Sequence, residues 1–146
     1  MKQIQFFLTS FLLLISTLFG EYSILFVIYF FLNMIDSITG WVKARINKKE
    51  NSFKGLLGII KKMCYWIIIL ISFIIPVCFK ELGKIINIDL SITIYLGWFV
   101  LASLIINECR SIIENLIEAG CNVPYILIKG LEIASETIEK VSKENE

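Results

Sequence analysis

The sequence predicts an all-α integral membrane protein, with three or four membrane-crossing helices followed by amphipathic cytoplasmic helices. Three observations carry that expectation. Of 146 residues, 57% are hydrophobic and only 18% charged, more apolar surface than so small a chain can hide from water. Four apolar stretches approach the ~20 residues that a helix needs to cross a ~30 Å hydrocarbon core. After Asn107 the apolar density falls and the pattern becomes that of amphipathic helix. The chain therefore divides into a transmembrane domain, 1–107, and an amphipathic cytoplasmic tail, 108–146.

The spans are expected at about 4–19, 22–42, 63–79 and 90–106. The first two are too long together for one crossing. Gly20-Glu21 reads as a tight turn between two spanning helices. The alternative is that the first stretch falls short of spanning, or acts as an uncleaved signal segment. Met1-Lys2-Gln3 resembles a weak n-region, and Leu18-Phe19-Gly20 is no small-x-small cleavage site. The third stretch carries Pro76 near its end. Between spans two and three lie Lys43, Arg45, Lys48, Lys49, Lys54, Lys61 and Lys62, opposed by Glu50. The 80–89 loop carries Lys80 and Lys84 against Glu81 and Asp89. The positive-inside rule puts the basic 43–62 loop and the C-terminus in the cytoplasm and the 80–89 loop outside. A topogenic role accounts for the basic loop; a lipid or partner site is the rival use of the same charges.

The second span holds the residues with most to say about function. Asn33, Asp36, Ser37 and Gly40 recur at i, i+3, i+4 and i+7 and share one helix face, with Thr39 beside them. The sequence sets Tyr29, Phe30, Phe31, Leu32 and Ile35 on the opposite face. A carboxylate in a membrane helix is costly and turns toward a partner helix or a water-filled space, unless it lies shallow enough for interfacial water and Lys43 to solvate it. The polar face is thus a candidate helix–helix or pore-facing surface.

Beyond the fourth span, Cys109, Ile112, Ile113, Leu116 and Ile117 form an apolar stripe. Glu108, Arg110, Ser111, Glu114 and Glu118 are expected to cover the other side of this helix, with Arg110 and Glu114 spaced to pair. Gly120 then closes the helix as a C-terminal cap, and Pro124 prevents immediate resumption. In the last segment Leu127, Leu131, Ala134, Ile138 and Val141 make a short heptad seam, suited to a helical partner or to the bilayer surface.

Several function classes are disfavoured. The chain has no histidine, no metal-ligand spacing among Cys64, Cys78, Cys109 and Cys121, and no nucleophile–base pairing. Ser52-Phe53-Lys54-Gly55 lacks the glycines of a phosphate-binding loop. Neither an enzyme, a cofactor nor a metal site is expected. A net charge of +1 offers no field for nucleic acid.

Asp36-Ser-Ile-Thr39-Gly40 closing a membrane helix, with Lys43 and Arg45 directly after it, resembles the signature of the toxin-secretion/phage-lysis holins. Ser52-Phe-Lys-Gly55, the Lys61-Lys62 pair, and Glu108-x-x-Ser111-x-x-Glu114-Asn115 followed by Gly120-Cys-Asn-Val123-Pro124 fit the same pattern. The resemblance runs from Tyr22 to Pro124. It implies a small multi-pass protein of the bacterial inner membrane that forms homo-oligomers in the lipid bilayer. Such proteins open lesions that release an endolysin or a toxin. The rival expectation is an accessory or scaffold subunit of a membrane complex that forms no pore. A small transporter is disfavoured, since no inverted repeat or paired broken helices appear.

Overall fold

A computed structural model describes residues 2–19 and 23–144. Five α-helices follow in order: α1 (Lys2–Phe19), α2 (Ser23–Ile46), α3 (Ser52–Ile86), α4 (Tyr95–Glu118) and α5 (Tyr125–Glu144), with a short 3-10 turn, Ser91–Ile94, leading into α4. No strand occurs among the described residues, and the protein is all-α. The predicted Gly20-Glu21 turn lies outside the described residues. The segments Ile24–Ile46, Ser52–Ile86 and Ser91–Glu118 are long and apolar enough to cross a membrane. At 1.5 Å per residue the 18 residues of α1 reach ~27 Å, and α1 meets the bundle through α2.

The helices run beyond the apolar stretches that predict them. The change from apolar to amphipathic character at 107/108 falls inside α4, which runs on for three further turns. The expected third span, 63–79, is the middle of a 35-residue helix of ~52 Å. Asn51 starts α3 by accepting the Lys54 N–H at 3.1 Å, so Lys54, Lys61 and Lys62 are helical and not part of a loop. Pro76 does not end α3. It is buried inside the bundle, where packing against neighbouring helices tolerates the lost backbone bond. Asn87 then closes α3 in the left-handed conformation.

Helix α4 is the hub and packs on α2, α3 and α5. Phe26 and Tyr29 of α2, Ile69 of α3 and Leu101 of α4 form the buried core. An aromatic layer surrounds them, with ring centroids 5.0 Å apart for Phe73–Trp98, 5.4 Å for Phe26–Phe73 and 5.1 Å for Tyr29–Trp66. Gly97 lets α3 approach α4 here, since a Cβ on it would lie 2.8 Å from the Phe73 ring. Outside the core the surface is overwhelmingly apolar, including Phe31, Ile38, Ile67, Leu70 and Ile74. Such a surface is solvated by lipid chains.

At the end of α4, Glu118 ties this helix to the end of α2. Its carbonyl accepts Asn47 Nδ2 at 3.1 Å, and its carboxylate sits 3.5 Å from Lys43 Nζ. Gly120 turns the chain at φ 90, a value that L side chains resist, and α5 begins just after Pro124. The heptad seam of α5 faces into this packing only in part: Leu131, Ala134 and Ile138 are half-buried, whereas Leu127 stays half exposed. At the opposite end, Asp89 accepts the Ser91 N–H at 2.9 Å and the Ser91 hydroxyl, which holds its carboxyl below the usual carboxylate range.

Candidate functional site

The polar face of α2 is turned inward. Reading along α2, Phe26, Tyr29, Asn33, Asp36 and Gly40 make one continuous stripe at helical spacing, and the stripe faces α4 and α3. Tyr29 therefore shares a face with Asn33 and Asp36. The sequence-based assignment of Tyr29 to the opposite face is wrong, because it lies one turn before Asn33 and is wholly buried. Phe30, Phe31 and Ile35 do point outward, while Leu32 is half-buried. Ser37 is exposed at the edge of the stripe and donates to the Asn33 carbonyl at 2.8 Å.

Lys62 supplies the countercharge. Its Nζ lies 3.0 Å from Asp36 Oδ2 and donates a hydrogen bond to Glu108 Oε2. One ammonium thus joins a carboxylate of α2 to a carboxylate of α4. The Glu108 side chain is 4% exposed, and those of Lys62 and Asp36 are each 16% exposed. Asn115, also buried, completes the group. It donates through Nδ2 to Asp36 Oδ1 at 2.9 Å and to Thr39 Oγ1 at 3.3 Å. Gly40 packs against this group: a Cβ there would stand 3.5 Å from Asn115 Nδ2, an ordinary contact, so a methyl fits but a larger side chain does not.

The three helices meet in register at this level. Asp36 is ten residues before Ile46, Lys62 ten after Ser52 and Glu108 ten before Glu118. Each charge therefore stands ~15 Å from the same end of the bundle. An ion in so apolar a setting is stable only when paired and hydrogen-bonded: Lys62 meets both carboxylates, Asp36 meets Lys62 and Asn115, and Glu108 meets Lys62. Two buried polar atoms of the stripe, Tyr29 Oη and Asn33 Oδ1, have no hydrogen-bond partner among the described residues. Asn33 Nδ2 instead donates to the Tyr29 carbonyl at 2.8 Å.

Glu108 overturns the expected face assignment in α4. With Asn115 it continues the inward line Leu101, Ile105, Glu108, Ile112, Asn115, in which Leu101, Glu108 and Asn115 are buried and the two isoleucines half-buried. The spacing was visible in the sequence, but the polarity of Glu108 argued for water until Lys62 and Asp36 were seen opposite. Ser111 is half-buried and Glu114 exposed; Arg110 and Glu114 form no ion pair among the described residues. An exposed pair of that kind contributes little in any case.

Of the basic residues from Lys43 to Lys62, Lys43 pairs with Glu118, Arg45 lies 3.8 Å from Glu50, and Lys62 is held in the cluster. Lys48, Lys49, Lys54 and Lys61 point outward. Cys64 and Cys78 are exposed on the apolar exterior, and all four cysteines are free. Among the described residues no group of side chains could hold a metal ion. The arrangement can bind helices to each other and store charge inside a bundle.

Comparison with known proteins adds a family to this geometry. The bacteriophage holin family matches residues 13–136. A probable holin of Bacillus phage phi105 is 30% identical over 130 residues, covering 88% of this chain and 87% of that protein. An uncharacterized protein of Halalkalibacterium halodurans is 34% identical over 119 residues, covering 82% of this chain and 84% of its own. No solved structure matches.

Proposed function

The chain belongs to the bacteriophage holin family, and from that premise we propose that it oligomerises in the bacterial inner membrane and forms lesions that release an endolysin or a toxin. One observation carries the reading: a polar, charged stripe is stored inside a bundle whose exterior is apolar. A subunit of this kind inserts and accumulates at little cost, because Lys62, Asp36 and Glu108 satisfy one another away from lipid. Separation of α2 from α4 exposes Asn33, Asp36, Thr39, Lys62, Glu108 and Asn115 together. They are then stable only against other subunits or against water lining a lesion. The protein acts by assembly and not by catalysis.

In this reading the basic end of the bundle and the C-terminus face the cytoplasm, following the positive-inside rule. A reporter active only in the cytoplasm works when fused after Glu146 or within 43–62 and fails at Gly83. A fusion at Met1 decides whether α1 crosses: a cytoplasmic N-terminus means four spans, and an external one means three.

The functional test is induced expression followed by dye entry. Growth continues for a period and then stops abruptly as dye crosses the inner membrane, and a co-expressed wall hydrolase without a secretion signal then lyses the culture. Steady growth with intact membranes at high expression contradicts lesion formation and favours an accessory or scaffold subunit.

A further inference from the structure

The seven basic residues around the α2–α3 hairpin separate into two groups by what their side chains meet. Lys43, Arg45 and Lys62 each face a carboxylate of the chain itself. Lys48, Lys49, Lys54 and Lys61 are exposed, and none lies within ion-pair distance of an acidic side chain among the described residues. A charge-counting orientation signal needs no such division. The four outward ammoniums surround a turn in which Lys48 adopts a left-handed backbone, φ 52, and the N-terminus of α3 adds its own partial positive charge.

Apolar and aromatic side chains lie beside these lysines. Phe53 and Leu56 of the first α3 turns are exposed, as is Trp41 at the end of α2. The Arg45 guanidinium stands 5.4 Å from the centre of the Trp41 ring. Trp at the edge of an apolar helix belongs at headgroup depth, with chains on one side and charge on the other. Because α3 outruns a ~30 Å hydrocarbon core by about 20 Å, its first turns extend into that zone.

We infer that the α2–α3 hairpin is a binding site for anionic phospholipid headgroups, held by Lys48, Lys49, Lys54 and Lys61 and bordered by Trp41, Phe53 and Leu56. The headgroup phosphate meets the ammoniums, and the acyl chains lie along the apolar first turns of α3. The site is independent of lesion formation and of the buried cluster. It gives the hairpin a fixed depth in a leaflet rich in anionic lipid.

The test uses the full chain reconstituted in nanodiscs of mixed phosphatidylglycerol and phosphatidylcholine. The ratio of the two lipids retained on the protein is read by native mass spectrometry after mild extraction. The wild-type chain retains phosphatidylglycerol preferentially, and each Lys→Gln change among Lys48, Lys49, Lys54 and Lys61 lowers that preference about fivefold. A control bearing Lys80→Gln, Lys84→Gln, Lys129→Gln and Lys140→Gln loses the same charge elsewhere and keeps the preference. Equal retention of both lipids by the wild-type chain overturns the site. So does an unchanged preference in the quadruple hairpin variant, or a loss as large in the control. These measurements do not depend on membrane orientation, so a purely topogenic role predicts no change in any arm.

Discussion

Lys61 and Lys62 are neighbours in sequence and opposites in use. About 100° of helix rotation separates them. Lys61 is exposed on the outside of α3, whereas Lys62 reaches inward to Asp36 and Glu108. The first can exchange its contacts with headgroups and water at little cost. The second is the electrostatic centre of three helices, and its loss leaves two carboxylates buried without a countercharge. The same residue type in the same basic run is therefore replaceable at one position and structural at the next. Charge counting along the loop does not distinguish them; the helical phase does.

Lys62→Met breaks this contrast most severely. Removing one member of a buried ion group costs about 3–5 kcal/mol, and it strands both Asp36 and Glu108. Thermal unfolding in detergent micelles shows a large fall in midpoint, and induced cells show either poor accumulation or early dye entry. Gly97→Leu acts at the aromatic layer and spares the charges. It drives a side chain into Phe73 and costs about 1–3 kcal/mol by overpacking, measured in the same unfolding assay. Gly40→Leu displaces Asn115 from Asp36 and loosens α2 from α4, whereas Gly40→Ala fits within ordinary contact. Crosslinking between α2 and α4 reads that difference. Asp36→Asn keeps the shape and leaves Lys62 on Glu108, so it shifts the onset of dye entry without preventing insertion. Lys61→Gln stays within about 0.5 kcal/mol of the parent in stability.

Much of the fold was legible because lipid imposes a simple rule: apolar length predicts a spanning helix. Polar helix ends escaped that rule. Lys54 and Lys61 look like loop residues on composition, yet Asn51 caps a helix that carries them, and α4 continues through Asn107 and Glu108 without a break. The candidate site was half legible. Asn33, Asp36 and Gly40 stood out by their spacing, but Tyr29 was assigned to the wrong side, since an aromatic residue suits lipid as well as core. Glu108 was placed in water because burial of a carboxylate makes sense only once its partners are known. Those partners, Asp36 and Lys62, lie 72 and 46 positions earlier in the chain, and no local pattern links them.

The central claim is that Lys62 holds α2, α3 and α4 together through charge. It is tested most directly by comparing Lys62→Met alone with the triple change Asp36→Asn, Lys62→Met and Glu108→Gln in thermal unfolding of the purified protein. Burying three neutral groups avoids the uncompensated carboxylates that the single change creates. The triple variant therefore unfolds at a clearly higher temperature than Lys62→Met, despite carrying more substitutions. A triple variant as unstable as the single one, or a Lys62→Met protein as stable as the parent, contradicts the claim.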